Sequence, residues 1–521
     1  LQRAYKADVI IIGGSLGGCA AALAAARMGK KVIMTEETKW IGGQLTSQAV
    51  PPDENPWIEK FGCTMSYRQL RNGIRTYYKN HFPLTPEARQ TFYLNPGNGN
   101  VSKLCHDPRV AVAVLHEMMA PYILSNHLVI WTRHKIQSVE VDNNHVRSMI
   151  VKNLDTGDEK ILTGSYFLDA TECGDVLPLA KAEYITGAES KQGTGEPHAL
   201  EGEADPLDIQ SITWCFAIDH VEGEDNTIEK PEQYDFWKNY RCDFWPDSML
   251  SWKSSHPHTL ETREHTLFPV DERHSLWTYR RIADRNNFVP GTFDSDITIA
   301  NWPQNDYWLG PIYEVDEEEA NKHLEGARQL SLSYLYWLQT EAPRPDGGIG
   351  YPGLRLRNDV VGTEDGLAMY PYIRESRRIK AEFTILEQYV SPITRGDEGA
   401  VKFEDSVGIG YYRMDLHPST SGRNYIDIGC LPFQIPLGSL IPVRMENLIP
   451  ACKNIGTTHI TNGSYRLHPV EWNIGEAAGM LVSYAMDKKI SPRVVRNDNE
   501  YLADFQQLLR KQGVELEWPK I

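Results

Sequence analysis

The sequence has no C-x-x-C pair among its eight cysteines, Cys19, Cys63, Cys105, Cys173, Cys215, Cys242, Cys430 and Cys452. That spacing argues against zinc ribbons, thioredoxin-type redox pairs and clustered iron–sulfur ligands, and no metal site is expected. Most of these cysteines are expected to be buried small hydrophobes, with disulfides in an exported form as the alternative. Long apolar runs are also missing. The most apolar stretch, Cys19 to Ala26, ends at Arg27 far short of a membrane span. No basic n-region precedes a hydrophobic signal core, although a chain starting at Leu1 leaves an exported origin open beside a cytoplasmic one. Basic charge is in deficit: 53 Lys and Arg stand against 70 Asp and Glu, a formal net charge of −17. Nucleic acid and anionic membrane surfaces both require a basic stripe, so neither partner is expected. What is present is globular, with 41 % hydrophobic and 24 % charged residues. A chain of 521 residues predicts about three domains or one large two-lobed unit.

The strongest local signal opens the chain. Ala7 to Ile12 reads as a buried parallel strand, Leu16 to Met28 as a small-residue helix and Lys31 to Glu36 as a second strand. Between the first two lies Gly13-Gly14-Ser15-Leu16-Gly17-Gly18. Gly13 permits the tight turn, Gly18 lets helix and sheet approach, and the helix start offers free N–H groups to a pyrophosphate. Glu36, with Glu37 beside it, is placed to accept the ribose hydroxyls and disfavours a 2′-phosphate. Ser15 replaces the usual middle glycine, which predicts a slightly larger distance from backbone to pyrophosphate. The order of elements specifies a dinucleotide site.

Four further segments decide which dinucleotide. Ile41-Gly42-Gly43-Gln44-Leu45-Thr46 follows the second strand, and Tyr166 to Asp175 contains Asp169-Ala170-Thr171-Glu172-Cys173-Gly174-Asp175. Near the end come Asn447 to Gly456, with Cys452-Lys453, and Gly475-Glu476-Ala477-Ala478-Gly479. These resemble, in turn, the G-G-x-x-T loop, the I-D-A-T-G-D-G-D strand, the N-L-x-x-A-G-R strand and the G-Q-A-A-G helix of the FAD-dependent oxidoreductases, over roughly 1–50, 104–180 and 405–487. The departures are Glu172 and Cys173 for small residues, Cys452 for glycine and Lys453 for arginine. The resemblance implies an α/β fold: a Rossmann-type FAD-binding lobe with an inserted β-meander, plus a mixed α+β substrate lobe. It implies FAD as cofactor, held by Gly13, Gly14, Ser15, Leu16, Gly17, Gly18, Glu36, Glu37, Gly42, Gly43, Gln44, Thr46, Ala170, Thr171, Pro469, Val470 and Glu471. The division expected is 1–180 and 441–521 for the FAD domain and 181–440 for the substrate lobe.

Helices are predicted over Pro108 to Leu124, Glu317 to Gln339, Tyr372 to Tyr389 and Pro469 to Met486. Strand-like runs Val129 to Thr132, Ile136 to Val141 and Val146 to Val151 are assigned to the meander. In the resembling family the C-terminal loop and helix meet the flavin, which brings His459, Arg466 and His468 toward the reacting face. An arginine there suits an oxyanion, and a histidine suits proton removal as hydride leaves for flavin N5. Arg374 and Arg378 would share a helix face, as an anion site or as a salt-bridge knot with Glu375. Asn301 to Tyr307 suits a hydroxylated ligand, and Asp415-Leu416-His417 is a further polar point. Cys105 or His106 could link covalently to a flavin, although Asp107 as N-cap before Pro108 is the plainer account.

The activity expected is a dehydrogenase or oxidase acting on a small hydroxylated or amino substrate, with a sugar or polyol suggested by 13 Trp and 25 Tyr. No second dinucleotide motif is present, so oxygen or an external acceptor takes the electrons. The alternatives are a monooxygenase or reductase using NAD(P)H without its own domain, and a non-catalytic electron carrier. The substrate, the oligomeric state and the compartment are left open.

Overall fold

The computed structural model describes residues 3–520. Strand β1 (Arg3–Lys6) is largely exposed, whereas β2 (Val9–Ile12) is buried along its whole length, as a strand covered on both faces must be. Helix α1 (Leu16–Arg27) and β3 (Val32–Glu36) complete a βαβ unit. Every residue of α1 from Leu16 to Ala26 is buried because the His468–Lys488 helix lies across it. A Cβ on Gly475 would sit 1.9 Å from the Gly17 carbonyl oxygen, and one on Gly479 would sit 2.4 Å from that of Ala21. The G-E-A-A-G segment is therefore a contact face on which two helix backbones touch.

After β3 the chain makes the Pro108–Leu124 helix, N-capped by Asp107, and returns as β4 (Leu128–Thr132). Next come β5 (His134–Asp142), β6 (His145–Asn153), β7 (Glu159–Thr163) and β8 (Tyr166–Asp169). The parallel sheet has five strands in the order Leu448–Pro450, β8, β2, β3, β4. The meander is β5-β6-β7, with β1 added in parallel on β7. This corrects one assignment: the 129–132 run is the edge of the parallel sheet, not part of the meander. Its helix carries the crossover from β3, and Arg133, at φ 61°, then turns the chain out of that sheet.

The middle of the chain contributes a four-stranded antiparallel sheet, in the order Arg281–Ala283, Ile297–Ala300, Phe216–His220, Leu354–Leu356, and the Glu317–Thr340 helix. The architecture is α/β, a Rossmann-like parallel sheet with added mixed sheets. The helix expected over Tyr372 to Tyr389 does not form. Tyr372 exchanges backbone hydrogen bonds with Thr213, Arg378–Ile379 pairs with Tyr184–Ile185, and only Glu387–Tyr389 makes a 3₁₀ turn. The charged residues read as a helical pattern, Arg374, Glu375, Arg377 and Arg378, are all buried. Each needs a partner in a different direction, which an extended chain supplies and one helix face cannot. All eight cysteines are free thiols, and only Cys242 is not fully buried. Among the described residues no helix is long and apolar enough to cross a membrane.

Candidate active site

Two cavities take part of their lining from the segment that follows β3. The first is a cleft at the carboxyl ends of the parallel strands, lined by Gly13, Glu36, Glu37, Thr38, Gly43, Ser47, Gln48, Lys135, Ala170, Thr171 and Tyr370 among others. Ligands of open α/β sheets bind at such strand ends. Glu36 is fixed there, accepting from Gly14 N–H and Thr38 N–H at 2.8 Å each. Ser15 does more than replace a glycine: its hydroxyl N-caps α1 by accepting from Gly18 N–H at 3.1 Å. The neighbouring Gly17 N–H donates to Glu471 Oε1 at 3.1 Å. Glu471 Oε2 accepts from Gln44 Nε2 and lies 3.7 Å from Lys453 Nζ. Lys453 also pairs with Glu172, so its ammonium already supplies the positive charge among the potential ligand atoms of Glu172, Cys452 and Glu471.

The second cavity, of about 260 Å³, approaches the lower end of the size range of small-molecule sites. Five arginines (Arg263, Arg280, Arg374, Arg413, Arg466) and three aspartates (Asp53, Asp415, Asp427) line it, with His265, His274, His417, Asn301, Trp302 and four tyrosines. At its wall, His417 Nδ1 lies 2.6 Å from Asp306 Oδ2. Asp306 is buried and also receives Arg374 Nη2 at 3.0 Å and the Thr213 hydroxyl. Burial alone would raise its pKa, but the charges of Arg374 and His417 outweigh burial and hold it below the usual carboxylate value. An ionised Asp306 can only accept, so Nδ1 of His417 carries a proton and Nε2 is the ring nitrogen left facing the cavity. That nitrogen lies 3.6 Å from Asp415 Oδ2. Burial raises the pKa of Asp53 despite Arg280 and Arg466 nearby.

The loop beside the first cavity reaches the wall of the second. Gln44 donates from Nε2 to the Arg466 carbonyl at 2.9 Å and accepts the Tyr372 hydroxyl at 3.1 Å. A protein-family profile described as FAD dependent oxidoreductase matches residues 8–509, nearly the whole chain. The chain belongs to this family.

No curated protein sequence matches significantly. Among solved structures, the chain is similar to the adenylylsulfate reductase of Archaeoglobus fulgidus, with 16 % identity over 33 % of this chain and 31 % of that one and a TM-score of 0.20. It is similar to the glycerol-3-phosphate dehydrogenase of Bacillus halodurans complexed with FAD, with 13 % identity over 41 % and 40 % and a TM-score of 0.24. It is also similar to the p-nitrophenol 4-monooxygenase of Pseudomonas putida, with 11 % identity over 98 % and 87 % and a TM-score of 0.37. The chain spans about a third of the length of the first of these. Likenesses of this size carry no argument about substrate.

Membership of the family implies a flavin cofactor, and the residues present fit one. A Cβ on Gly14 would fall 2.9 Å from that of Glu36, and one on Gly43 would fall 3.0 Å from Ser15 Cα, so only glycines leave this turn open. Gly13, Glu36, Glu37, Gly43, Ala170 and Thr171 line the cleft, whereas the Glu471 carboxylate, on Gly17 and Gln44 at the amino end of α1, adds negative charge where the pyrophosphate is expected. Burial pushes the Glu36 carboxyl up to about 7, against the pull of its N–H donors. The folded state therefore holds a proton that the unfolded chain has lost. The stability Glu36 contributes is full below the ordinary glutamate range and falls as pH rises toward 7. Calorimetry of the cofactor-free protein from about pH 5 to 8 should show E36Q losing less Tm than wild type. Parallel profiles would remove Glu36 as a source of that loss.

Of the four catalytic candidates, Arg466 and Arg374 line the second cavity and the two histidines do not. His459 opens a short helix (His459–Tyr465) rather than a loop, with Nδ1 2.8 Å from Glu375 and Nε2 2.9 Å from Arg423. His468 accepts the Asp53 N–H at 3.0 Å, and burial holds its pKa well below the usual histidine value. Arg374 and Arg378 share no helix face. Arg378 pairs with Glu375 at 2.6 Å and with Glu189 at 2.9 Å, which is the salt-bridge knot. Asn301, Trp302 and Pro303 do face the cavity. Sequence reasoning missed Asp306 as the partner of His417, and missed Arg263 and Arg280. Cys105 Sγ lies 3.6 Å from the Ser102 carbonyl and His106 Nδ1 lies 3.0 Å from the Asp107 carbonyl, and neither residue lines the cleft. Acid denaturation is thus expected to release the flavin into the supernatant, whereas a yellow pellet would show a covalent link.

Proposed function

We propose that the protein is an FAD-dependent dehydrogenase or oxidase that takes a hydride from a carbon bearing a hydroxyl or amino group in a small substrate. The observation that carries this reading is the Gln44 contact, which sets the charged cavity with its His417–Asp306 pair directly against the flavin-side loop. In this reading residues 1–180 and 441–521 hold FAD and 181–440 form most of the substrate lobe. The bound flavin supplies a two-electron acceptor. His417 Nε2 takes the substrate proton, and Asp306 keeps the ring in the tautomer that can do so and steadies the imidazolium that results. Arg466, hydrogen-bonded to the Tyr372 hydroxyl at 3.3 Å and to the Asp415 carbonyl at 3.1 Å, stands by to balance charge on the substrate oxygen. Oxygen or an external acceptor then reoxidises the protein.

A non-catalytic carrier has no use for a walled cavity of this charge. Anaerobic mixing of the yellow protein with hydroxylated and amino compounds should bleach the flavin band. Bleaching by NAD(P)H alone would favour a monooxygenase or reductase, and bleaching only by a protein partner would favour a carrier.

A further inference from the structure

We infer that the substrate carries an oxyanion, a carboxylate in the first instance, seated on Arg280 and Arg263, so that the compound oxidised is a hydroxy or amino acid. This rests on the oxidation reading above and adds the substrate class to it. Three of the five cavity arginines already have carboxylates: Arg374 has Asp306 at 3.0 Å, Arg466 has Asp415 at 3.4 Å, and Arg413 has Asp427. The other two are held less well. Arg280 is 8 % exposed, yet its one hydrogen bond is from Nε to the Asn301 carbonyl at 3.4 Å. Its Nη1 makes a long ion pair with Asp53 Oδ2 at 3.7 Å but no hydrogen bond, and the guanidinium lies 5.0 Å from the centre of the Tyr279 ring. A guanidinium has five N–H donors, and burying it with so few of them satisfied is costly unless another acceptor joins it. Arg263, on the Thr262–Thr266 strand at the same cavity, has no ion pair among the described residues. The two cavity histidines beside it add no charge, since burial pushes His265 down to about 3 and His274 to about 4.

The five arginines of the cavity thus exceed its carboxylates, Asp53, Asp306, Asp415 and Asp427, by one, in a chain of net charge −17. A planar fork of N–H donors matches a carboxylate in two parallel bonds. With the anion fixed there, the step balances: a hydride leaves carbon for the flavin, the hydroxyl or amine proton goes to His417, and a keto or imino acid remains.

The test uses flavin-loaded protein, with gluconate, oxalate, glucose 6-phosphate and sorbitol as probes. Binding is read from the flavin visible band and from Tm. Gluconate is expected to bind about tenfold tighter than sorbitol or more, and R280K and R263Q should each erase about tenfold of that preference. Arg263 is partly exposed, so R263Q keeps the test open should R280K fold poorly. Tighter binding of glucose 6-phosphate than of gluconate, lost in the same variants, would support the seat and name its anion as a phosphoryl group. Carboxylates binding no better than sorbitol, or unaffected by both variants, would overturn the seat. Flavin reduction in the same samples separates the two claims. Reduction by sorbitol without anion preference sinks the seat alone, and arginine-dependent binding with no reduction by any hydroxy or amino acid sinks the oxidation reading.

Discussion

H417N is expected to slow anaerobic flavin reduction about 10²–10⁴-fold while leaving flavin binding unchanged. Asparagine can still donate to Asp306, so the wall of the cavity survives. It cannot accept a proton while hydride leaves, so the lost rate measures the base. D306N should lower the rate about as far by a different route. A neutral amide no longer forces the proton onto Nδ1, so His417 turns its lone pair away from the substrate. D306N also carries a stability cost that H417N does not, because Arg374 is 1 % exposed and leans on the same carboxylate. Removing one partner of a buried ion pair costs about 3–5 kcal/mol. H459N supplies the contrast: His459 is locked between Glu375 and Arg423 away from the cavity. Its loss should lower Tm and leave the rate within roughly threefold of wild type, since no bond to the reacting atoms is removed. Single-turnover reduction followed at the flavin band distinguishes the three. If H417N reduces at the wild-type rate, the base lies elsewhere.

The parts of this molecule legible in its sequence are those made by neighbours in the chain. The turn from Gly13 to Gly18, the acid at Glu36 and the helix from His468 are each specified within one or two elements. Their spacing expresses a backbone requirement, as at Gly475, which has to touch Gly17. The cavity is different. His417 follows the strand Met414–Leu416, Asp306 comes from the segment after Trp302, Arg280 lies beside the edge strand Arg281–Ala283, and Asp53 lies far upstream. No local pattern announces that these meet, and His417 alone looked like one polar residue among many. The stretch after Tyr372 misled for the opposite reason. Its charges recur at helical spacing, but periodicity carries information only when one face is wet, and here all four are buried.

E471Q is expected to tighten FAD binding about tenfold to a hundredfold while lowering the Tm of the cofactor-free protein. The amino end of α1 is an anion seat, where free N–H groups and the helix dipole converge, and the glycine motif reserves it for a pyrophosphate. Glu471 reaches into that seat, through Gly17 N–H at 3.1 Å and Gln44, with Lys453 Nζ 3.7 Å away. Two phosphate charges arriving here meet a buried carboxylate, and at a few ångströms and an effective dielectric constant near 20 each unit pair repels by about 4 kcal/mol. Part of that is relieved if the side chain swings aside, which is why the expected gain is smaller than the full repulsion. Glutamine keeps the shape and one acceptor but drops the charge. Without cofactor the same change deprives Gly17, Gln44 and Lys453 of their anion, which costs about 1.5–3 kcal/mol for a charged hydrogen bond. A residue that merely packs the helix would weaken both quantities together. The opposite signs, read by fluorescence quenching of FAD and by calorimetry without it, identify Glu471 as an internal competitor for the pyrophosphate. If both quantities fall, its carboxylate supports the bound cofactor instead.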